Sequence, residues 1–598
     1  MVRIIRFLTL VLHAVLLVSF IETGAVGWAI DDSGGASPTL QSSIRNPQEF
    51  PYRWVYVSRS LQRDRDVVDI KNIVKTASQS GLNGMVLAAG LDRLEGRNSE
   101  YFERLKQVRQ LCKSTGWPSP QQDFEIVPII FSVGYGGSIL AEDKNLAAGL
   151  PVKDALFVVE NNQARFVPGT TAKIVNPGFE QYEGNNLKGY NFHDRPGEVS
   201  FVDKEIFSSG RASLRFENFG NYEHGHARLM QEVKVEPYRC YRVSCMVKTE
   251  SLEPEGAFRI MVLSPDGRDL APWDPGVPSN SDWRHVTMGF NSLDYDRVKI
   301  YLGAWGGQSG RFWLDDLRVE EVGLLNVLRR PGTPVTVQDE QTGQVYKEGK
   351  DYAPIADPKL NFRFDHESVA IEIPPGSPQD GQAHKIRNGQ RLRVSYYHGM
   401  AINSGQVTVC MSEPKVYEIW DRQIRLLHDV LSPSRYLLSM DEIRAGGSCQ
   451  ACKKRKMTMA QILGECITEQ VRIIRNVNPQ AEILIWSDML DPNHNAHADY
   501  YLVDGDFTGS WNYVPKDLVI VCWYYDKRAE SLAFFSSLGF RTMAGAYYDG
   551  DTLDNPSGWL DVLEATPGAS GIMYTTWQNK YELLAPFGNL VTERSRVK

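Results

Sequence analysis

The chain has no excess of basic residues. Its 65 Lys and Arg are outnumbered by 73 Asp and Glu, for a net charge of −8. It therefore lacks the concentrated positive charge a phosphate-backbone binder needs, and nucleic acid is not an expected partner. The run Lys453-Lys454-Arg455-Lys456 is a local exception that reads as a solvated loop face; as a binding site it would favour an anionic glycan. Long apolar runs are scarce as well, and after the first few dozen residues no segment is apolar enough to cross a bilayer, so no stable membrane insertion is expected. Eight cysteines in 598 residues are too few for a scaffold held by disulfides. Cys449 and Cys452 form a C-x-x-C, but no second such pair completes a zinc site. A disulfide pinning the loop is the expected state of this pair, with free thiols or a redox motif as alternatives. Cys240 and Cys245, five apart on an expected strand, face opposite sides and are not expected to bond each other.

The amino terminus carries Arg3 and Arg6, then an apolar stretch from Phe7 to Phe20, then small residues around Gly27 and Ala29. This is the pattern of a secretory signal peptide over 1–29, which would make the protein secreted or periplasmic; an uncleaved anchor is the alternative. A polar linker, 30–50, follows. The length suggests three or four domains.

From 51 to 169 the sequence alternates short apolar runs with amphipathic segments. Trp54 to Val57, Met85 to Ala89 and Ile126 to Phe131 read as strands, and 66–79 and 99–115 as helices. Pro128 sits oddly in the third strand, because proline removes a ladder donor. From 170 to 322 the pattern becomes short alternating strands between Gly, Asn, Asp and Pro turns, the signature of an antiparallel sandwich. Residues 323–411 read as a second, smaller β insertion, although its tail QVTVCMSEP also reads as a barrel strand. From 412 to 598 the βα alternation returns, with a helix near 415–430 and strands in RYLLSMDEI, EILIWSDML, LVIVCWYYD, RTMAGAYYD and GIMYTTW. Three strands before the insertions and five after make the eight of a (β/α)8 TIM barrel, interrupted after its third strand.

In such a barrel the carboxyl ends of the strands open onto one face. Each of the last five strands ends in polar or aromatic groups: Asp441-Glu442, Trp486-Ser487-Asp488, Trp523-Tyr524-Tyr525-Asp526, Tyr547-Tyr548-Asp549, and Tyr574 with Trp577. Adjacent carboxyls at a strand end, with aromatic walls around them, suit acid/base work on a glycosidic bond. The plainer reading is a strand-end Asp-Glu that caps a helix or meets an arginine such as Arg444, beneath aromatic residues that only seal the barrel.

Two resemblances refine this reading. NPGFE (Asn176 to Glu180) and FWLDDLRVEE (Phe312 to Glu321), with the strands between them, resemble jelly-roll carbohydrate-binding modules of secreted glycosidases. That resemblance implies a structural calcium near Glu180 and Asp316, and makes Trp273, Trp283, Trp305 and Tyr222 candidates for a sugar-stacking face. SMDEIR, IWSDML, WYYD and YTTWQ resemble glycoside hydrolase family 20, the β-N-acetylhexosaminidases, whose barrel carries an Asp-Glu pair at the end of its fourth strand. The resemblance implies that Glu442 is the general acid/base and that Asp441 orients a 2-acetamido group, whose oxygen attacks the anomeric carbon. No cofactor is implied for catalysis. Asp441 and an apolar wall would then be expected to raise the pKa of Glu442. Tyr525 and Tyr548 become candidates to hold the acetamido carbonyl, Trp486, Trp523 and Trp577 the walls, and Asp488 a sugar-hydroxyl ligand. Leu438-Ser439-Met440 departs from the family's small-residue and histidine pattern, and the family's α/β domain ahead of the barrel is missing. The seventh strand ends in Asp549 rather than the glutamate nucleophile of the commonest barrel glycosidases. This favours the substrate-assisted route, with Asp549 or Asp488 as a nucleophile in a two-carboxylate alternative. A further alternative is a glycan-binding protein with a silent barrel.

Overall fold

The computed structural model describes residues 50–114, 123–374, 386–403 and 405–596. The expected signal peptide and nearly all of the linker lie outside the described residues. Eight parallel strands close into a barrel: β1 (Tyr52–Ser58), β2 (Gly84–Ala88), β3 (Glu125–Ile130), β4 (Arg435–Leu438), β5 (Glu482–Trp486), β6 (Val519–Cys522), β7 (Arg541–Tyr547) and β8 (Ala569–Thr575). These strands read as continuous apolar runs because both faces are covered. Val519 to Cys522 are all buried, as are the last four residues of β5. One face fills the lumen with Trp54, Val86, Val127, Leu437, Leu484, Val519 and Met573, and the other packs on the helices. At the amino-terminal end the lumen is closed by polar pairs: Tyr52 donates to Glu482 at 2.8 Å, and Arg435 meets Glu125 at 2.6 Å.

Helix α1 (Asp64–Gln79) buries Ile70, Ile73, Val74 and Ala77, a 3–4 spacing that puts one stripe on the sheet. Helices α2 (Ser99–Ser114) and α3 (Pro414–Leu431) follow β2 and precede β4. Proline at the start of α3 loses no helical hydrogen bond there, because the first N–H groups have no partner within the helix. Helix α4 (Met459–Val477) begins in a capping box, with Gln461 N–H on Thr458 Oγ1 at 3.2 Å and Thr458 N–H on Gln461 Oε1 at 2.9 Å. Helices α5 (Arg528–Ser537), α6 (Asp554–Leu563) and α7 (Leu584–Arg596) complete the ring. Between β5 and β6 no α-helix is present among the described residues; 487–518 is instead a long loop with single 3-10 turns.

The antiparallel sandwich is present as two five-stranded sheets inserted between β3 and β4. Their facing side chains form its core, where Phe312 of one sheet meets Phe258 of the other edge-on at 5.7 Å. The second insertion differs from expectation. Its six-stranded sheet pairs Leu150–Glu160 with Arg391–His398, so residues before the sandwich and residues after it share one sheet. The stretch 150–166, expected within the first part of the barrel, belongs to this sheet, and the sandwich is nested inside it. The tail QVTVCMSEP is not a barrel strand: Ala148 N–H binds the Thr408 carbonyl and Val409 N–H binds that of Val133. Pro128 is tolerated because β3 pairs with β4 only from Ile129 onward. None of the helices described is long and apolar enough to cross a membrane.

Candidate functional site

The residues after β4 continue its pairing with the end of β3, with Ser439 N–H on the Ile130 carbonyl at 2.8 Å. Asp441 and Glu442 follow, at the carboxyl end of the barrel. Glu442 has a φ of 51°, a left-handed conformation that a non-glycine residue holds only when its surroundings enforce it. Here its N–H donates to Asp488 Oδ2 at 2.8 Å and its carbonyl accepts from Gln406 Nε2 at 2.9 Å. The loop after β3 runs directly against this turn: a Cβ on Gly134 would lie 2.1 Å from the Asp441 carbonyl oxygen, so no larger residue fits there.

The two acids are shifted in opposite directions. Burial pushes the Glu442 carboxyl up, but the Arg444 guanidinium, 2.9 Å from its Oε1, and the Tyr135 hydroxyl, which donates to its Oε2, bring it below the ordinary range. Burial, and then the Glu442 charge, push Asp441 up to about 6, against a 2.9 Å hydrogen bond from Ser439 Oγ. Asp488 is fully buried and pushed up to about 8, first by burial and then by Asp441. Its Oδ2 accepts from Glu442 N–H and from Asn495 Nδ2, while Oδ1 faces no donor and is the natural seat of a proton. The expectation that Asp441 would raise Glu442 is therefore reversed. The cluster's proton rests on the aspartates, because Arg444 (1% exposed) stands against the glutamate. The plain reading that Glu442 meets Arg444 is also met. Glu442 is not entombed, since 14% of its side chain is exposed beside Tyr135, itself 42% exposed.

The aromatic endings form a connected wall. Trp577 lies 5.1 Å from Tyr56 and 6.2 Å from Trp486 and from Tyr548. Tyr548 in turn stacks parallel to Trp523 at 6.1 Å. Burial, and then the Glu442 charge, hold the Tyr548 hydroxyl well above its usual pKa, so it stays a neutral donor. Tyr547, Tyr548 and Asp549 all have positive φ, which breaks strand alternation and turns Tyr548 to the mouth.

Two expected site residues are placed elsewhere. Tyr525 begins a 3-10 turn and faces α6: its hydroxyl reaches the Asp554 carbonyl at 3.4 Å and Arg528 covers its ring at 4.0 Å. Asp549 spends both oxygens on the loop after β8, accepting from Thr576 Oγ1 and from the N–H groups of Trp577 (2.8 Å) and Gln578 (3.2 Å). It thereby positions Trp577 at the start of the loop after β8.

Sequence reasoning missed Tyr135 and the loop after β5. From that loop His494 stacks on Tyr524 at 4.7 Å and meets Trp523 edge-on, and burial holds its pKa down to about 3, so it is neutral. Arg444 sits 4.9 Å from the Tyr501 ring. Arg268 of the sandwich donates to the carbonyls of Tyr501 and Val503, the latter at 2.7 Å, so the inserted module is tied to the loop that backs Arg444.

In the sandwich, Glu180 Oε1 accepts from the N–H groups of Arg211 (2.6 Å) and Ala212 (3.2 Å), and Asp316 Oδ1 from Ser209 Oγ at 2.8 Å. Neighbouring Asp315 clasps the same loop through Ser208 and Ser209 N–H. Glu180, Asp315 and Asp316 thus gather on the one loop 208–212, Glu180 and Asp316 each through a single oxygen. Of the candidate stacking residues, Trp305 is buried, and Tyr222 is covered by Arg195 at 4.1 Å. Trp273 lines a cavity of about 170 Å3, with Arg284, His285, Phe362 and Phe364, between the sandwich and the six-stranded sheet unit. All eight cysteines are buried and none is in a disulfide, and Cys449 Sγ lies 3.7 Å from Cys452 Sγ, which corrects the expected disulfide. Two residues of the basic run are paired: Lys453 meets Asp504 at 2.7 Å and Arg455 meets Glu465.

Fold and site together define a closed parallel barrel with a carboxylate cluster at its carboxyl mouth and β-sheet insertions after its third strand. No family model matches the chain, and no curated protein matches it. Among solved structures it is similar in part to a carbohydrate-binding module in complex with beta-1,4-galactotriose, at 19% identity over 24% of this chain and 94% of that one, TM-score 0.19. A xylan-binding domain from Paenibacillus barcinonensis is similar at 16% identity over 25% and 93% of the two chains, TM-score 0.19. A beta-N-acetylhexosaminidase is similar at 10% identity over 32% and 45%, TM-score 0.24. These likenesses are partial, and the chemistry of the site stands on its own residues.

Proposed function

We propose that the protein is an exported glycoside hydrolase, secreted or periplasmic, that cleaves β-linked glycans containing a 2-acetamido sugar. The observation that carries this reading is the pair of adjacent carboxyls at an aromatic-walled barrel mouth, Asp441 pushed up to about 6, so that it keeps its proton in mildly acidic solution, and Glu442 held below the ordinary range, so that it stays ionised there. Glycoside cleavage needs one group to protonate the leaving oxygen and one to offset the positive charge that builds at the anomeric carbon. The order in which the two acids take up protons, Asp441 before Glu442 as pH falls, assigns the first task to Asp441 and the second to Glu442, the reverse of the family resemblance. Arg444 and Tyr135 keep Glu442 anionic, and Asp488 locks its backbone. With Asp549 committed to the loop that carries Trp577 and Asp488 fully buried, the substrate's own acetamido oxygen is the nucleophile this reading favours, held by the neutral Tyr548 hydroxyl. Trp577, Trp523 and Trp486 supply the apolar walls.

Two tests arise directly. The acid must carry its proton, and Asp441 loses it as pH rises through about 6. The pH profile of kcat/KM should therefore fall on the alkaline side of about 6; a profile flat up to pH 9 would remove Asp441 as the donor. Trp577→Ala should raise KM several-fold to about tenfold with a smaller change in kcat, the size of one lost ring contact. Steady-state kinetics on an aryl N-acetylhexosaminide would measure it.

One observation favours a second reading. Both Glu442 oxygens already have protein partners, as in an acid that serves structure alone. A glycan-binding protein with a silent barrel would bind oligosaccharides with wild-type affinity in both Asp441→Asn and Glu442→Gln, and would turn over no glycoside.

A further inference from the structure

Three thiols meet beside the loop that carries the acid pair. Cys449 and Cys452 supply two of them, and Cys410 comes from the segment just ahead of α3. Their sulfurs form a nearly equilateral triangle with sides of 3.6, 3.8 and 3.7 Å. Among the described residues this is the only group of three or more His, Cys, Asp or Glu side chains whose ligand atoms converge in this way. Thiolates bound to zinc at about 2.3 Å stand about 3.8 Å apart when the geometry is tetrahedral, so the triangle already has the shape of one face of such a site. A disulfide would draw two sulfurs to about 2 Å and leave the third alone.

The surroundings fit a metal better than three idle thiols. Cys449 is the N-cap of the short helix Gln450–Lys454, and Cys452 lies on that helix, the local geometry that lets a C-x-x-C turn both sulfurs to one point. Arg330, 5% exposed and held by Glu413 at 2.8 Å, lies 3.7 Å from Cys449 Sγ through Nη2, where it offsets the charge of thiolate ligands. A cavity of about 10 Å3 opens on the three sulfurs between Gly149, Gly447 and Met459. That is about the space of one water molecule.

We propose that Cys410, Cys449 and Cys452 hold a thiophilic divalent metal ion, zinc in particular, with a water molecule at the fourth position. Binding exchanges the three thiol protons for the ion, and no oxidant or reductant takes part. The ion ties two segments that bracket the carboxylates. Cys410 lies four residues beyond Gln406, which holds the Glu442 carbonyl, and Cys449 ends the loop that starts at Asp441. It thereby fixes the turn at Glu442 from behind. The inference stands on the thiol geometry and is independent of the reading of the barrel as a glycosidase.

The test uses the full chain purified without chelator. Elemental analysis should find about one zinc per chain. Replacement by Co2+ should give the intense thiolate-to-cobalt absorption and the visible bands of a tetrahedral site. Cys410→Ser and Cys452→Ser should each lose the metal, and chelation should lower the Tm of the wild type. The proposal is overturned if the wild-type protein holds no zinc after dialysis against excess Zn2+ and then metal-free buffer. It is also overturned if non-reducing peptide mapping joins two of the three cysteines, or if both variants keep their metal. The wild-type cobalt spectrum decides the matter should the variants fail to fold. None of these readouts depends on glycoside turnover.

Discussion

Asp441→Asn should lower turnover of glycosides with poor leaving groups by roughly 100- to 10,000-fold, the usual contribution of a positioned general acid. It should cost far less with a dinitrophenyl leaving group, which departs without a proton. Glu442→Gln should slow both substrates, because the charge at the anomeric carbon must be offset whatever the leaving group. This contrast follows from the opposite shifts of the two acids. Asp441 is pushed up to about 6 by burial and by its neighbour, whereas Glu442 is pulled below the ordinary carboxylate range by Arg444 and Tyr135 despite its own burial. If the two variants exchange these patterns, Glu442 is the donor and the family's division of roles holds.

The second large effect concerns stability. Arg444→Met leaves Glu442 as a largely buried anion without its cation, and breaking such a pair from one side costs about 3–5 kcal/mol. The lower end is expected, since 14% of the Glu442 side chain still reaches water. Urea unfolding should show that loss, and the double variant with Glu442→Gln should recover much of it, because the orphaned charge is then gone. The single variant should also let Glu442 titrate higher, moving the acid limb of any pH–rate profile upward. A single variant as stable as wild type would mean that Arg444 is not what holds the glutamate ionised.

Much of this architecture is legible locally. The barrel strands declare themselves as short apolar runs because both faces are covered. The position of Asp441 and Glu442 at the end of β4 follows from counting those runs. What the sequence hides is partnership across long separations. Leu150–Glu160 looks like any strand near the third barrel strand, and nothing local names Arg391–His398 as its neighbour. Tyr135 lies 307 residues from the carboxylate it binds, and Cys410 about forty from the C-x-x-C it joins. Side-chain direction is lost where alternation fails. The left-handed run Tyr547–Asp549 turns Tyr548 inward and spends Asp549 on the next loop, while a 3-10 turn carries Tyr525 outward. The charge of Glu442 depends on a contact only two residues away, Arg444, whose side chain could equally have faced solvent.

The most direct measurement is release of the aglycone from aryl β-N-acetylhexosaminides at about pH 5 by wild type and Glu442→Gln side by side, with the anomeric configuration of the product followed by NMR. Hydrolysis with retention by the wild type, reduced at least 100-fold in the variant while oligosaccharide binding persists, is the predicted result. Equal release by both proteins, or no hydrolysis of any glycoside by a folded wild type, would contradict it.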